Sequence, residues 1–218
     1  MSDEGQTPTS IGVYGGTFDP VHYGHLRTAL EVREKLGLGQ LRLIPCREPP
    51  HRPAPVASPE QRLQMLRLAL QCGDPRLTAD DRELGRPGPS YMVDTLNSLR
   101  QEFPLASLCL IVGADAFNGL DRWHRWQSLF ELAHVVVMER PGEGLAADAG
   151  RLPPWAIRRY GDLEMLLHSR AGTVGFVEVT QLAISASEIR NGLAGGGDPR
   201  FLLPDAVLDY IRKTGLYR

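Results

Sequence analysis

Short apolar runs of four to six residues alternate along this chain with longer stretches of helical period, and that rhythm admits few architectures. The runs Ile11–Tyr14, Leu41–Ile44, Ser107–Val112, Val135–Met138 and Val174–Val179 read as strands, with a shorter one near Leu77. Strands spaced by amphipathic helices make βαβ crossovers, and crossovers of that kind build a parallel sheet covered by helices on both faces. The expected fold class is α/β, a Rossmann-like doubly wound parallel sheet. At 218 residues and 42% hydrophobic, the chain can bury one substantial core. One domain is therefore expected over residues 1–218, with a helical C-terminal part at about 184–218.

The helices announce themselves by their ends. After the first strand a helix starts near His22, runs apolar at Leu26, Ala29, Leu30 and Val32, and stops at Gly37. Ser58 as cap, Pro59 at the first helical position and Gln61 three after the cap open a second, carrying Leu63, Leu66 and Leu70. A third begins at Ser90 and places Val93, Leu96, Leu99 and Phe103 on one side. Pro204–Thr214 is helical in period and is stopped by Gly215. Pro45–Pro59, with six prolines, and the Gly/Ala/Pro-rich Arg140–Pro154 read as long loops of the kind that carry function.

Charge and cysteines exclude several classes. A formal net charge of −2 gives no basic footprint for a polyanion, so neither DNA nor RNA is an expected partner. Lys35 and Lys213 are the only lysines and neither follows a Gly-rich loop, which rules out a Walker-type phosphate lysine. Cys46, Cys72 and Cys109 are odd in number and widely spaced, fitting a reducing cytoplasm better than a disulfide framework or a paired metal knuckle. No apolar run has bilayer length, and Met1–Ser10 lacks the apolar stretch of a signal peptide, so a cytoplasmic protein with no membrane partner is expected.

The turn after the first strand carries the densest chemistry: Gly15-Gly16-Thr17-Phe18-Asp19-Pro20-Val21-His22-Tyr23-Gly24-His25. Ligands of open parallel sheets sit at such strand-to-helix turns. Adjacent glycines let the backbone approach a ligand closely, and the helix opening at His22 offers unpaired N–H groups to a phosphate. His22 and His25, three apart, project from one helical face and can donate to neighbouring phosphate oxygens. Gly24 between them removes side-chain bulk. HxxH without a Cys or carboxylate at ordinary ligand spacing is a poor metal site, so no protein-held metal is expected there.

GGTFDPVHYGHL resembles the signature of the nicotinate-mononucleotide adenylyltransferases, within the HxGH nucleotidyltransferase superfamily. Pro45 and Pro49-Pro50-His51-Arg52 resemble that family's proline-rich substrate loop, and Ser90-Tyr91 with Thr95-Leu96 its S-Y-T…T-L segment. Gly113-Ala114-Asp115 with Trp123 resembles the G-x-D…W region, and Arg140-Pro141-Gly142 the R-P-G. Ile184-Ser185-Ala186-Ser187-Glu188-Ile189-Arg190 resembles I-S-x-T-x-I-R, and the ending Gly215-Leu216-Tyr217-Arg218 is also similar. Two positions depart from the pattern: Met92 replaces the threonine of S-Y-T, and Ser187 that of I-S-x-T-x-I-R. Serine keeps the hydroxyl. Methionine does not, which leaves backbone amides at that helix start to hold the pyridine substituent.

The resemblance implies ATP bound by Gly15, Gly16, Thr17, Phe18, His22, His25, Asp115, Ile184, Ser185, Ser187 and Arg190. It implies nicotinate mononucleotide bound by Asp19, Pro45, Cys46, His51, Arg52, Ser90, Tyr91, Met92 and Trp123, with the Trp123 indole stacking on the pyridine. Ser185 and Glu188 have the form of a capping box opening a helix whose Arg190 meets the departing pyrophosphate. Asp115, at the carboxyl edge of the sheet, suits either ribose hydroxyls or a metal. The implied reaction is direct attack of the mononucleotide phosphate on the α-phosphorus of ATP, with His22, His25 and Arg190 as the catalytic set and Mg²⁺ accompanying ATP. A sister HxGH enzyme with another acceptor, or a nucleotide-sensing module that does no chemistry, are the alternatives. An aminoacyl-tRNA synthetase is set aside for want of a K-M-S-K-S segment.

Overall fold

The computed structural model describes residues 10–50, 53–142 and 152–218. In chain order the elements are β1 (Ser10–Gly16), α1 (Tyr23–Lys35), β2 (Gln40–Pro45), α2 (Pro59–Leu70), β3 (Leu77–Ala79), α3 (Met92–Glu102), β4 (Ser107–Gly113) and α4 (Ala114–Asn118). After the 3₁₀ turn Leu120–Arg122 come α5 (Trp126–Leu132), β5 (His134–Glu139), α6 (Pro154–Ile157), α7 (Leu163–Leu166), β6 (Val174–Glu178), α8 (Ala186–Ala194) and α9 (Asp205–Thr214). The strands form a six-stranded sheet in the order β3-β2-β1-β4-β5-β6. The pairs β1/β4, β4/β5 and β5/β6 are parallel. This is the doubly wound α/β order. The direction of winding reverses beside β1, the place where such sheets bind nucleotides at their strands' carboxyl ends.

Burial follows from the sequence of each strand. β4 and β5 are near-continuous apolar runs, and every residue from Ser107 to Val112 and from His134 to Glu139 is buried, as strands covered on both faces require. α2 starts where its punctuation predicts: Ser58 accepts from the Gln61 N–H, and the Gln61 side chain accepts from the Ser58 N–H. The helix expected from Ser90 begins at Met92, with Tyr91 as a cap that makes no side-chain bond. α4, α5, α6 and α7 lie in stretches too short or too irregular in period to be read as helices. Within the expected loop Arg140–Pro154, Pro154 opens α6 and residues 143–151 lie outside the described part.

Residue contacts divide the chain into two compact units. One comprises the described residues of Met1–Tyr14, Val32–Leu41 and Tyr91–Val179; the other comprises Gly15–Glu31, Arg42–Ser90 and Thr180–Arg218. In the first, α3 packs on α5, and Arg100 of α3 donates to the carbonyls of Phe103, Pro104, Ala106, Leu132 and Arg170. In the second, α2 packs on α9. Replacing Ser58 by Ala removes one half of the capping box and should lower stability by about 1 kcal/mol in denaturant unfolding, with the slope of the transition unchanged.

Candidate active site

The unit that holds the turn after β1 is organised by buried polar groups. Gly15 and Gly16 end β1 half-buried, half-buried Thr17 follows, and Phe18 then takes a left-handed backbone (φ 50°) that costs a non-glycine residue on the order of 1 kcal/mol. That turn folds the Phe18 ring back over Gly16, where a Cβ would stand 2.8 Å from the ring. Phe18 is 1% exposed and meets the His25 ring edge-on at 5.1 Å. What Phe18 offers a ligand is therefore main chain, while its ring props up His25.

α1 begins at Tyr23, and the rings of His22 and His25 stack at 3.8 Å between centroids. Gly24 makes room for this, because a Cβ there would come within 2.9 Å of His22 Nδ1. His22 is buried and its Nδ1 has no hydrogen-bond partner among the described residues. The His22 N–H donates to His25 Nδ1 at 3.4 Å, which leaves the proton of a neutral His25 ring on Nε2. Burial pulls His22 down to about 4; burial, then the neighbouring His22, pulls His25 down to about 3. Both rings are thus neutral N–H donors at pH 7 and add no positive charge.

The guanidinium comes from α8. Ser185 caps this helix by accepting from the Glu188 N–H at 3.4 Å; the return bond from the Glu188 side chain is not made, so only half of the expected capping box forms. Arg190 Nη1 donates to the Asp19 carbonyl at 2.7 Å, and Nη2 to the Ser187 hydroxyl at 3.3 Å. Its side chain keeps 27% exposure. The two motifs touch elsewhere as well: the Thr180 N–H donates to buried Glu31 of α1, and a Cβ on Gly24 would lie 3.5 Å from the Leu182 carbonyl. Ile184, bonded through its N–H to Leu182, links these contacts to Ser185. The histidine turn and the Arg190 helix therefore meet.

Asp19, expected among the substrate residues, is buried. Its carboxylate is 4% exposed and accepts from the Val56 N–H (2.8 Å), the Ala57 N–H (3.2 Å) and the Tyr217 hydroxyl (2.6 Å). Those donors engage both oxygens and make the carboxylate an anchor for neighbouring segments. Pro45 is buried at the end of β2, and the Cys46 N–H donates to the Gly16 carbonyl, so these two residues run beside the phosphate turn. The Ser90 hydroxyl accepts from the Arg47 and Glu48 N–H groups at 2.8 and 3.4 Å, holding the start of the proline-rich segment. His51 and Arg52 lie outside the described residues.

Four expected site residues belong to the other unit. Tyr91 stacks on His124 at 4.3 Å, and Met92 opens α3. Asp115 is exposed in the first turn of α4. Trp126 joins an aromatic cluster with Phe130 and Trp155, whereas half-buried Trp123 takes part in no ring pair among the described residues.

Sequence reading missed Arg62. It is 0% exposed, and it donates to the carbonyls of Thr17 (2.8 Å), Ala57 (3.2 Å) and Arg47 (3.2 Å), with no carboxylate paired to it among the described residues. The available signal was a cation one turn before Leu66, on the buried face of α2. Among the described residues no three His, Cys, Asp or Glu side chains gather as a metal cage.

The lowered histidines set a pH dependence of stability. Above about 6.5, the ordinary value, folded and unfolded rings are both neutral; as pH falls from there toward about 4, unfolded rings take up protons that folded ones refuse. Stability should therefore drop across that window. A variant carrying His22→Gln and His25→Gln should lose less stability than the parent between pH 6.5 and 4 in paired thermal melts.

Comparison with known proteins gives the family. The cytidylyltransferase-like family model matches residues 13–192. A protein of Methylococcus capsulatus is 53% identical over 207 residues, covering 95% of this chain and 99% of its own length. One of Halorhodospira halophila is 50% identical over 214 residues, covering 95% of each. Both carry the name "Probable nicotinate-nucleotide adenylyltransferase". Among solved structures, the Plasmodium falciparum nicotinic acid mononucleotide adenylyltransferase complexed with NaAD superposes with TM-score 0.72 at 18% identity, covering 96% of this chain and 97% of that one, a likeness of fold. By this match over residues 13–192 and by these relatives, the chain belongs to the cytidylyltransferase-like family and, within it, to the nicotinate-nucleotide adenylyltransferases.

Proposed function

We propose that this chain, as one nucleotidyltransferase domain, transfers AMP from ATP to nicotinate mononucleotide, giving deamido-NAD and pyrophosphate in NAD biosynthesis. The observation that carries the reading is the 2.7 Å bond from Arg190 to the Asp19 carbonyl, which places a partly exposed guanidinium against the turn that presents His22 and His25. The names of the relatives supply the acceptor.

An oxygen of the mononucleotide phosphate attacks the α-phosphorus of ATP, and the bond to the bridging oxygen of pyrophosphate breaks on the opposite side. The acceptor phosphate is already ionised at neutral pH, so no base and no covalent intermediate are needed. The protein's task is to hold the two substrates in line and to meet charge as it builds on the leaving group. Gly15, Gly16, Thr17 and Phe18 offer main chain to ATP, His22 and His25 offer ring N–H groups, and Arg190, with Ile184, Ser185 and Ser187 at its helix start, takes the pyrophosphate end. Pro45, Cys46, Ser90 and the segment with His51 and Arg52 serve the acceptor, together with Tyr91, Met92 and Trp123. Asp115 is the carboxylate that would serve Mg²⁺ carried with ATP, or a ribose, and such an ion would supply neutralisation of phosphate charge. The cytoplasm is the setting we propose, since all three cysteines are free. No described helix is long and apolar enough to cross a membrane.

Mixing the protein with ATP, Mg²⁺ and nicotinate mononucleotide should release pyrophosphate; binding of ATP without release would identify a sensor instead of an enzyme. His22→Ala should cut turnover about a hundredfold while leaving mononucleotide binding nearly unchanged, because a preorganised donor is lost from the phosphate side only. Near-normal turnover in that variant would remove His22 from the catalytic set.

A further inference from the structure

Asp19 and Tyr217 stand 198 positions apart in the chain, yet their side chains share a buried 2.6 Å hydrogen bond. Tyr217 is 7% exposed, and burial together with the Asp19 carboxylate pushes its phenol far above its ordinary value, so the hydroxyl remains a donor. With the Val56 and Ala57 N–H groups, that hydroxyl completes three donors around one carboxylate. A carboxylate gripped at both oxygens cannot turn, and the main-chain carbonyl of the same residue is fixed with it.

That carbonyl is the acceptor for Arg190 Nη1 at 2.7 Å, while the nearer carboxylate oxygen, Oδ2, stays 3.9 Å from the same nitrogen. The arrangement differs from a bidentate ion pair. In a bidentate pair, two parallel bonds would occupy one face of the guanidinium and cancel its charge. Here a single bond to a carbonyl and one to the Ser187 hydroxyl orient the group, leaving its other N–H donors for a ligand.

We propose that Asp19 and Tyr217 are positioning residues that aim the Arg190 guanidinium at the phosphates of the nucleotide, with Tyr217 on Oδ1 and the Val56 N–H on Oδ2 keeping the carboxylate at long ion-pair range, short of a hydrogen bond to Arg190. The proposal rests on the adenylyltransferase reading. It adds to that reading a role for two buried side chains. The same carboxylate ties the exit of the proline-rich segment, through Val56 and Ala57, to the turn that bears Phe18.

Tyr217→Phe keeps the buried ring and deletes one hydroxyl. Turnover in this variant should fall about tenfold through misplacement of the guanidinium, and calorimetric affinity for inorganic pyrophosphate should weaken several-fold. In an Arg190→Ala background the same substitution should change neither quantity further, since the group being aimed is gone. Wild-type turnover and pyrophosphate affinity in folded Tyr217→Phe would overturn the proposal, as would equal losses with and without Arg190, which mark a merely structural role. Should Tyr217→Phe fail to fold, Asp19→Asn, equal in volume and without the charge, is put through the same cycle: losses that vanish without Arg190 support the positioning role, and losses that persist overturn it. Pyrophosphate binding is read without turnover, so a parent protein that binds it but makes no dinucleotide counts against the activity and leaves the positioning role to be judged by the binding cycle alone.

Discussion

A guanidinium without a contacting counter-ion among the described residues lies beneath the phosphate turn, and the shape of that turn depends on it. Moving a charged group from water into a protein interior costs several kcal/mol, even after relaxation. Arg62 offsets this with bonds to the Thr17, Ala57 and Arg47 carbonyls, which would otherwise be acceptors without donors at an irregular stretch of backbone. A methionine or leucine in its place would fill the space and leave those carbonyls unpaired. A planar fork with five donors suits three acceptors arriving from different directions, and a lysine ammonium at the end of a flexible stem does not match that geometry. The phosphate turn and both ends of the proline-rich segment thus close on one side chain of α2.

Asp19 works from the other side of the same loops. Ala57 is gripped at both its main-chain groups: its N–H goes to Asp19 and its carbonyl to Arg62. The next residue, Ser58, caps α2, so the helix that delivers Arg62 starts immediately beyond the point that Arg62 and Asp19 hold. Local capping and long-range anchoring reinforce one another in this region. The left-handed Phe18 is tolerated because its neighbours leave the chain no relaxed alternative: Thr17 is bound through its carbonyl, and Asp19 through its carbonyl and carboxylate.

The sheet was legible in the sequence because each strand is an apolar run bounded by turn residues, a signal carried by neighbouring residues alone. The same holds for the start of α2, where cap, proline and glutamine lie within four positions. The pairing of His22 with His25 on one helical face was legible from their spacing, and the rings do stack, with Gly24 giving them room. The burial of Asp19 and Arg62 was not legible, since it depends on partners as far off as Tyr217 and a charged residue carries no mark saying that it will be enclosed. Short helices such as α4 and α5 escaped for a related reason: five or seven residues give too few turns for a period to show, and tertiary packing decides their form. At Ser185 the residues of a capping box are present, but Glu188 faces solvent and the reciprocal bond does not form.

Neutral histidines change how this site meets a triphosphate. Two imidazolium rings stacked at 3.8 Å would repel one another and would attract the phosphates of ATP strongly from the outset. Binding energy spent equally on the ground state and the transition state does not speed the chemical step. A neutral N–H donor attracts a modestly charged oxygen weakly and gains as charge accumulates there, which is what happens on pyrophosphate as the bond to the α-phosphorus lengthens. By stripping water from the two rings, the fold leaves both without charge at pH 7 beside the Arg190 guanidinium, which is held at one edge. In the proposed reaction, such a site would stabilise the departing pyrophosphate while it forms and would not hold it as tightly once the bond is broken.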